Sequence, residues 1–69
     1  MNNETNEPGR TELLTVPEAA RRLNLSQRSV WVMIADGRLP ALRFGVRATR
    51  VDAADVERLI ADAKARSGR

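Results

Sequence analysis

The sequence predicts a mainly α fold in which three short helices are accompanied by a small β-hairpin. Three segments place apolar residues at the i, i+3 and i+4 spacing of one helix face. Each segment follows a residue suited to cap a helix N-terminus. Between the second and third segments, apolar and polar residues alternate on either side of Gly45, which is typical of a hairpin. A chain of 69 residues forms at most one domain.

The domain is expected to occupy residues 12–66. Residues 1–11 contain Asn, Glu, Pro and Gly without apolar periodicity, so we expect a disordered polar tail. Residues 67–69 should form a frayed C-terminus.

The first helix should begin at Thr15. Thr15 and Glu18 match the capping box, in which each side chain bonds the other residue's backbone N–H. The helix should end near Asn24, since asparagine tolerates the left-handed conformation there. Its inward face consists of Val16, Ala19, Ala20 and Leu23.

The second helix should span residues 27–35. Ser26 is a suitable cap, and Gly37 stands where helices commonly end. The inward face consists of Val30, Met33 and Ile34.

The hairpin is predicted from two short alternating stretches. Leu42 and Phe44 alternate with Arg43, and Thr49 and Val51 alternate with Arg50. This pattern predicts that the arginines share one face, with Arg47 at the tip.

The third helix should run from Asp52 to about residue 65. Asp55 adds negative charge to its first turn, which the helix dipole favours. Its inward face consists of Val56, Leu59, Ile60 and Ala63.

The composition excludes several function classes. There is no cysteine and no histidine, so the chain lacks disulfides, the commonest metal ligand and the commonest general base. We therefore expect no enzyme activity, no metal and no cofactor. No stretch approaches the roughly 20 apolar residues of a membrane span. We expect a cytoplasmic protein with no membrane partner.

The charge distribution indicates a polyanionic partner. The net charge is +3, yet residues 21–50 hold seven arginines against Asp36 alone. A basic segment of this kind favours a polyanion as the partner, and in combination with two short helices and a hairpin it favours double-stranded DNA. A GC-rich genome would explain the excess of arginine over lysine, but it would not explain the clustering.

Two short helices joined by a three-residue turn are typical of a helix-turn-helix. Ala20 allows close approach of the helices, Asn24 forms the turn, and Val30 and Met33 pack the second helix. The alternative is an ordinary helical hairpin, as in a small protein-interaction module, which uses the same packing.

These residues resemble the excisionase/MerR-like winged helix-turn-helix family. The resemblance rests on residues 13–20, 23–30 and 36–41, and it continues through Arg43-Phe44-Gly45 and Arg50-Val51-Asp52. It implies a winged helix-turn-helix of three helices plus a wing.

The resemblance also implies a function. Small proteins of this family are similar to recombination directionality factors, which bind and bend attachment-site DNA of prophages or integrative elements. There they help an integrase, of the tyrosine or serine class, to excise rather than integrate. The implied setting is a bacterial or phage-encoded, nucleoid-associated protein. Because one such domain binds modestly, neighbouring copies on DNA are expected partners. The alternative is a small MerR-, AlpA- or BldC-like transcriptional regulator with the same fold.

The second helix would enter the major groove with its N-terminal residues toward the bases. Gln27 and Arg28 suit adenine and guanine edges respectively, and Ser29 suits a base or a phosphate. Trp31 and Val32 lie off the inward face. Trp31 either lines the groove or closes the core against the wing.

The remaining candidates would contact the DNA backbone. Arg47 would enter the adjacent minor groove, and Arg50 would hold a phosphate or brace the wing. Other candidate phosphate ligands are Arg38 and Arg43, with Arg22 and Ser26 as further possibilities. For any single arginine, the alternative is a solvated surface charge.

Overall fold

A computed structural model of the chain describes residues 11–67. In chain order the elements are β1 (Leu13–Thr15), α1 (Val16–Leu23), α2 (Gln27–Ala35), β2 (Leu42–Arg43), β3 (Thr49–Asp52) and α3 (Ala53–Ser67). Three helices and a wing confirm the predicted winged helix-turn-helix. Residues 1–10 of the predicted tail, and residues 68 and 69 of the predicted C-terminus, lie outside the described residues.

Helix α1 is bounded by the caps that the sequence predicts. The Thr15 hydroxyl accepts a hydrogen bond from the Glu18 N–H at 3.2 Å, and the Glu18 carboxylate accepts from the Thr15 N–H at 2.8 Å. The second bond lowers the pKa of Glu18. Asn24 ends the helix in the left-handed conformation, with φ 57° and ψ 44°.

The turn into α2 consists of Asn24, Leu25 and Ser26, as predicted. The Ser26 hydroxyl accepts from the Ser29 N–H at 3.1 Å and caps the helix. After the helix, Gly37 has a φ of +87°, which favours glycine over any residue with a Cβ. The Arg38 N–H then donates to the Met33 carbonyl at 3.0 Å, closing the end of α2.

The sheet contains one strand more than the sequence predicts. Its order is β1-β3-β2, with both pairs antiparallel. In the pair β1–β3, Leu14 lies opposite Val51 and Thr15 lies opposite Arg50. The extra strand anchors the wing to the chain segment immediately before α1.

The register of β2 and β3 corrects the prediction that Arg43 and Arg50 share a face. Arg43 lies opposite Thr49, and Arg50 lies opposite Leu42. Directly opposed residues project to the same side of an antiparallel pair, so the two arginines project to opposite sides. Thr49 is buried, so Arg50 belongs to the outer face of the sheet.

The core draws on all three helices and the sheet. Its most buried side chains are Ala19, Val30, Leu39, Val51 and Val56, each at most 1% exposed. Ala20, 4% exposed, keeps α1 close to α2, as the helix-turn-helix spacing predicts. The core therefore holds α2 and the wing in a fixed relation to α1.

Helix α3 is longer than predicted. The Asp52 carboxylate accepts from the Ala54 N–H at 2.9 Å at its start. The helix continues to Ser67, which was predicted to fray but whose hydroxyl donates to the Ala63 carbonyl at 2.6 Å. None of the helices in residues 11–67 combines the length and apolar character needed to cross a bilayer.

Candidate nucleic-acid interface

Helix α2 presents an exposed strip on the side away from the core. Val30 and Met33 face inward and are at most 8% exposed. The strip consists of Gln27, Arg28, Trp31 and Val32. Trp31 is 41% exposed and Val32 is 51% exposed, so α2 leaves large apolar surface as well as polar groups accessible to a partner.

Two grooves run along the sides of this strip. The wing groove is lined by Thr15, Val16, Pro17, Trp31, Val46, Arg47, Thr49 and Arg50. The turn groove is lined by Leu25, Arg28, Ser29, Val32, Met33 and Arg38. Each groove therefore carries two arginines, and the strip lies between two cationic flanks.

The sequence left open whether Trp31 lines the DNA groove or closes the core against the wing. The position of its side chain bears on this choice. Its side chain borders the wing groove together with Arg47 and Arg50. It is not among the partly buried apolar side chains that pack against the core, such as Ile34 and Leu59. Trp31 thus faces the space between α2 and the wing.

The guanidinium groups of Arg28, Arg43 and Arg47 have no ion pair or hydrogen bond within residues 11–67. Each of these side chains is also exposed, so each guanidinium group is accessible to an incoming anion. A forked guanidinium in this state can bind a phosphate or a guanine edge through two hydrogen bonds.

Two further arginines of the interface are held by the protein itself. The Arg38 guanidinium pairs with Asp36 at 3.1 Å, and this hydrogen bonding lowers the pKa of Asp36. Arg50 donates to the carbonyl of the preceding residue, Thr49, at 2.9 Å, a contact within β3 that leaves its predicted role on phosphate or in bracing the wing a prediction. Arg38 lines the turn groove and Arg50 lines the wing groove.

Ser26 and Ser29 form a small hydroxyl pair at the N-terminus of α2. Their side-chain oxygens are 3.0 Å apart, and Ser26 also caps the helix. Backbone N–H groups at such a terminus favour an anion. The contacts of both serines with DNA stay predictions.

Arg22 lies in different surroundings from the other candidates. Its guanidinium is 3.2 Å from Glu12 and 4.0 Å from Glu57, so it ties α1 to the segment before β1 and to α3. It lines neither the wing groove nor the turn groove. Its predicted phosphate contact is the one that the geometry favours least.

The wing ends in exposed apolar side chains that the sequence did not predict as part of the site. Leu42, Phe44 and Val46 are 46%, 66% and 99% exposed. One feature of the sequence could have indicated this apolar surface: Val46 is an apolar residue inside a hairpin loop, where polar residues are usual.

Comparison with known proteins assigns the chain to a family. A family model described as a helix-turn-helix domain matches residues 13–64, well over half of the chain. The searches of curated proteins and of solved structures found no match to the chain. Families of this kind generally lack enzyme activity. The chain therefore belongs to the helix-turn-helix domain family, which includes excisionase-like small DNA-binding proteins, and its function is sequence-specific DNA binding.

Proposed function

We propose that the chain is an excisionase, a recombination directionality factor that binds and bends attachment-site DNA. The observation that carries this proposal is the exposed strip of α2 between two arginine-bearing grooves. Such an interface can hold DNA in a bent path. In this role an integrase of the tyrosine or serine class performs the recombination.

The strip of α2 enters the major groove in this proposal. Gln27 and Arg28 lie in the first turn of α2 and are exposed, so their side chains are placed to reach base edges. Trp31 lies one turn later and contacts sugar or a thymine methyl, together with Val32.

The wing contacts the DNA on the other side of the backbone. With α2 in the major groove, the wing groove receives the intervening sugar–phosphate strand, and Arg47 reaches the adjacent minor groove. Arg50 contacts the strand from the groove wall while it braces the wing. The backbone contacts are completed by Arg38, Arg43, Ser26 and Ser29.

Several copies are needed for a stable complex. A single module of this size buries roughly 600–1,000 Å² on DNA, which gives modest affinity. Neighbouring copies on adjacent sites raise the affinity and impose a larger bend. We place this activity at the bacterial nucleoid, in the cytoplasm.

The experiment is a selection of genomic DNA fragments by the purified chain, followed by footprinting of the fragments that bind. An excisionase protects several adjacent sites beside an integrase core site, and adding the chain to integrase and attachment-site DNA raises the yield of excised product. Protection confined to promoters, with no effect on excision, would instead establish the small transcriptional regulator. That alternative uses the same interface, so the interface variants described below apply to both.

A further inference from the structure

The wing ends in apolar side chains that face solvent. Val46 is 99% exposed, more than any other large apolar residue in the part of the chain described, and Phe44 is 66% exposed. By contrast, Val51 in the same sheet is fully buried. Exposed apolar surface of this kind is unfavourable in water unless a partner covers it.

The backbone holds this apolar tip in place. The Phe44 N–H donates to the Ala48 carbonyl at 2.9 Å, and the Ala48 N–H donates to the Gly45 carbonyl at 3.3 Å. These bonds close a tight loop with Val46 at its end. Because Val46 has almost no contact with the rest of the protein, its side chain contributes little to the fold.

Arginines flank the tip in the sequence. Arg43 precedes it and Arg47 follows it, and within residues 11–67 neither guanidinium has a carboxylate partner. The negative potential of a narrow minor groove attracts arginine. Proteins that kink DNA from the minor groove combine such cations with an apolar side chain that enters between two base pairs.

We propose that Val46, with Phe44 behind it, is an apolar wedge that enters the minor groove and partly unstacks one base step. This inference rests on the proposed docking of the wing on DNA. Wedges of this type kink the duplex by about 20–90°. The step beneath the wing should be a flexible pyrimidine–purine step such as TA or CA, because these steps unstack most easily.

The test uses the full chain and a duplex chosen for tight binding in the fragment selection. Energy transfer between dyes at the two duplex ends measures the bend. In parallel, 2-aminopurine placed at each step in turn reports unstacking through its fluorescence. The variants are Val46→Ser, which removes the wedge, and Val46→Ile, which keeps it. Leu13→Ser, at a 39% exposed apolar residue on β1, is the matched control.

Val46→Ser should bind up to about tenfold more weakly and lose most of the bend and the 2-aminopurine signal. Val46→Ile should behave like the wild type, and both Val46 variants should keep its melting temperature. Leu13→Ser should bend DNA like the wild type although it melts at a lower temperature, because more than half of the Leu13 side chain is buried. Weaker binding by Val46→Ser with an unchanged bend would mean that Val46 makes only a surface contact, and the wedge would be wrong.

Other outcomes separate this inference from the proposed function. If the wild type binds its duplex without bending it, the wedge is overturned and sequence-specific binding stands. If the duplex is bent through Val46 but every genomic site is a promoter, the excisionase role is overturned and the wedge stands. If no duplex is bound, both are overturned.

Discussion

Replacement of Arg47 by alanine should change how DNA binding depends on salt. Five arginines border α2 and the wing, and one of them, Arg38, is paired with Asp36. A guanidinium group displaces about one counterion whether it lies on a phosphate or in a groove, so counting four to five such groups gives a slope of log affinity against log salt of about −3.6 to −4.5. Affinity should therefore fall about 150- to 500-fold between 50 and 200 mM salt.

Removing Arg47 removes one such contact, because its guanidinium has no partner within residues 11–67 and stands at the wing groove. The slope of the Arg47→Ala protein should be shallower by about 0.9, so that the loss over the same salt range is roughly 3.5-fold smaller. Fluorescence anisotropy with a labelled duplex at five or six salt concentrations measures this difference.

The charge-matched control is Arg58→Ala. Arg58 lies on α3, pairs with Asp55 at 2.6 Å, and lines neither groove. The Arg58→Ala substitution removes the same net charge as Arg47→Ala but should leave the slope of log affinity against log salt unchanged. Equal changes of slope in the two variants would show that only total charge matters, and the proposed position of the wing on DNA would be refuted.

Three further predictions concern specificity and stability. Arg28→Ala should lose about 1–3 kcal/mol of discrimination at one base pair, measured by competition with base-substituted duplexes; uniform weakening on all duplexes would assign Arg28 to a phosphate instead. Thr15→Ala should lower the free energy of unfolding in urea by about 1 kcal/mol, whereas Thr15→Ser should restore it; identical curves would contradict the capping role. The pKa of Glu18 is lowered in the folded state, so its stabilising effect is complete above the unfolded-state pKa and is lost as pH falls through the folded-state pKa. Glu18→Gln should flatten the acid side of the stability profile, and an unchanged profile would argue against this linkage.

The ends of α1 and α2 were predictable from sequence because local interactions set them. The capping box joins residues only three apart, Thr15 and Glu18, and Asn24 and Gly37 adopt backbone conformations that their own residue types favour. Such signals do not depend on the rest of the fold.

Strand β1 was missed because nothing local requires it. Leu13–Thr15 becomes a strand only by pairing with β3, more than 30 residues later in the chain. The shared face predicted for Arg43 and Arg50 failed for a related reason. Alternation within each stretch does not fix how the two strands align, and the observed register places Arg43 opposite Thr49.

The residues of the candidate site also form two groups, those that local sequence predicts and those whose surroundings depend on the tertiary structure. The exposed strip of α2 follows from helical periodicity, so Gln27 and Arg28 could be named from sequence. The carboxylates beside Arg22 come from the segment before β1 and from α3, and only the tertiary structure brings them together. The exposure of Val46 likewise depends on the position of the wing relative to the helices, which the sequence alone does not define.

The central claim is that α2 occupies the major groove while the wing occupies the adjacent minor groove. Methylation interference with dimethyl sulfate reads both grooves in one experiment, since it modifies guanine N7 in the major groove and adenine N3 in the minor groove. Guanine N7 methylation should block binding at the bases under α2, and adenine N3 methylation should block it about five base pairs away, half a helical turn. Interference from adenine N3 alone, or from neither position, would contradict the claim.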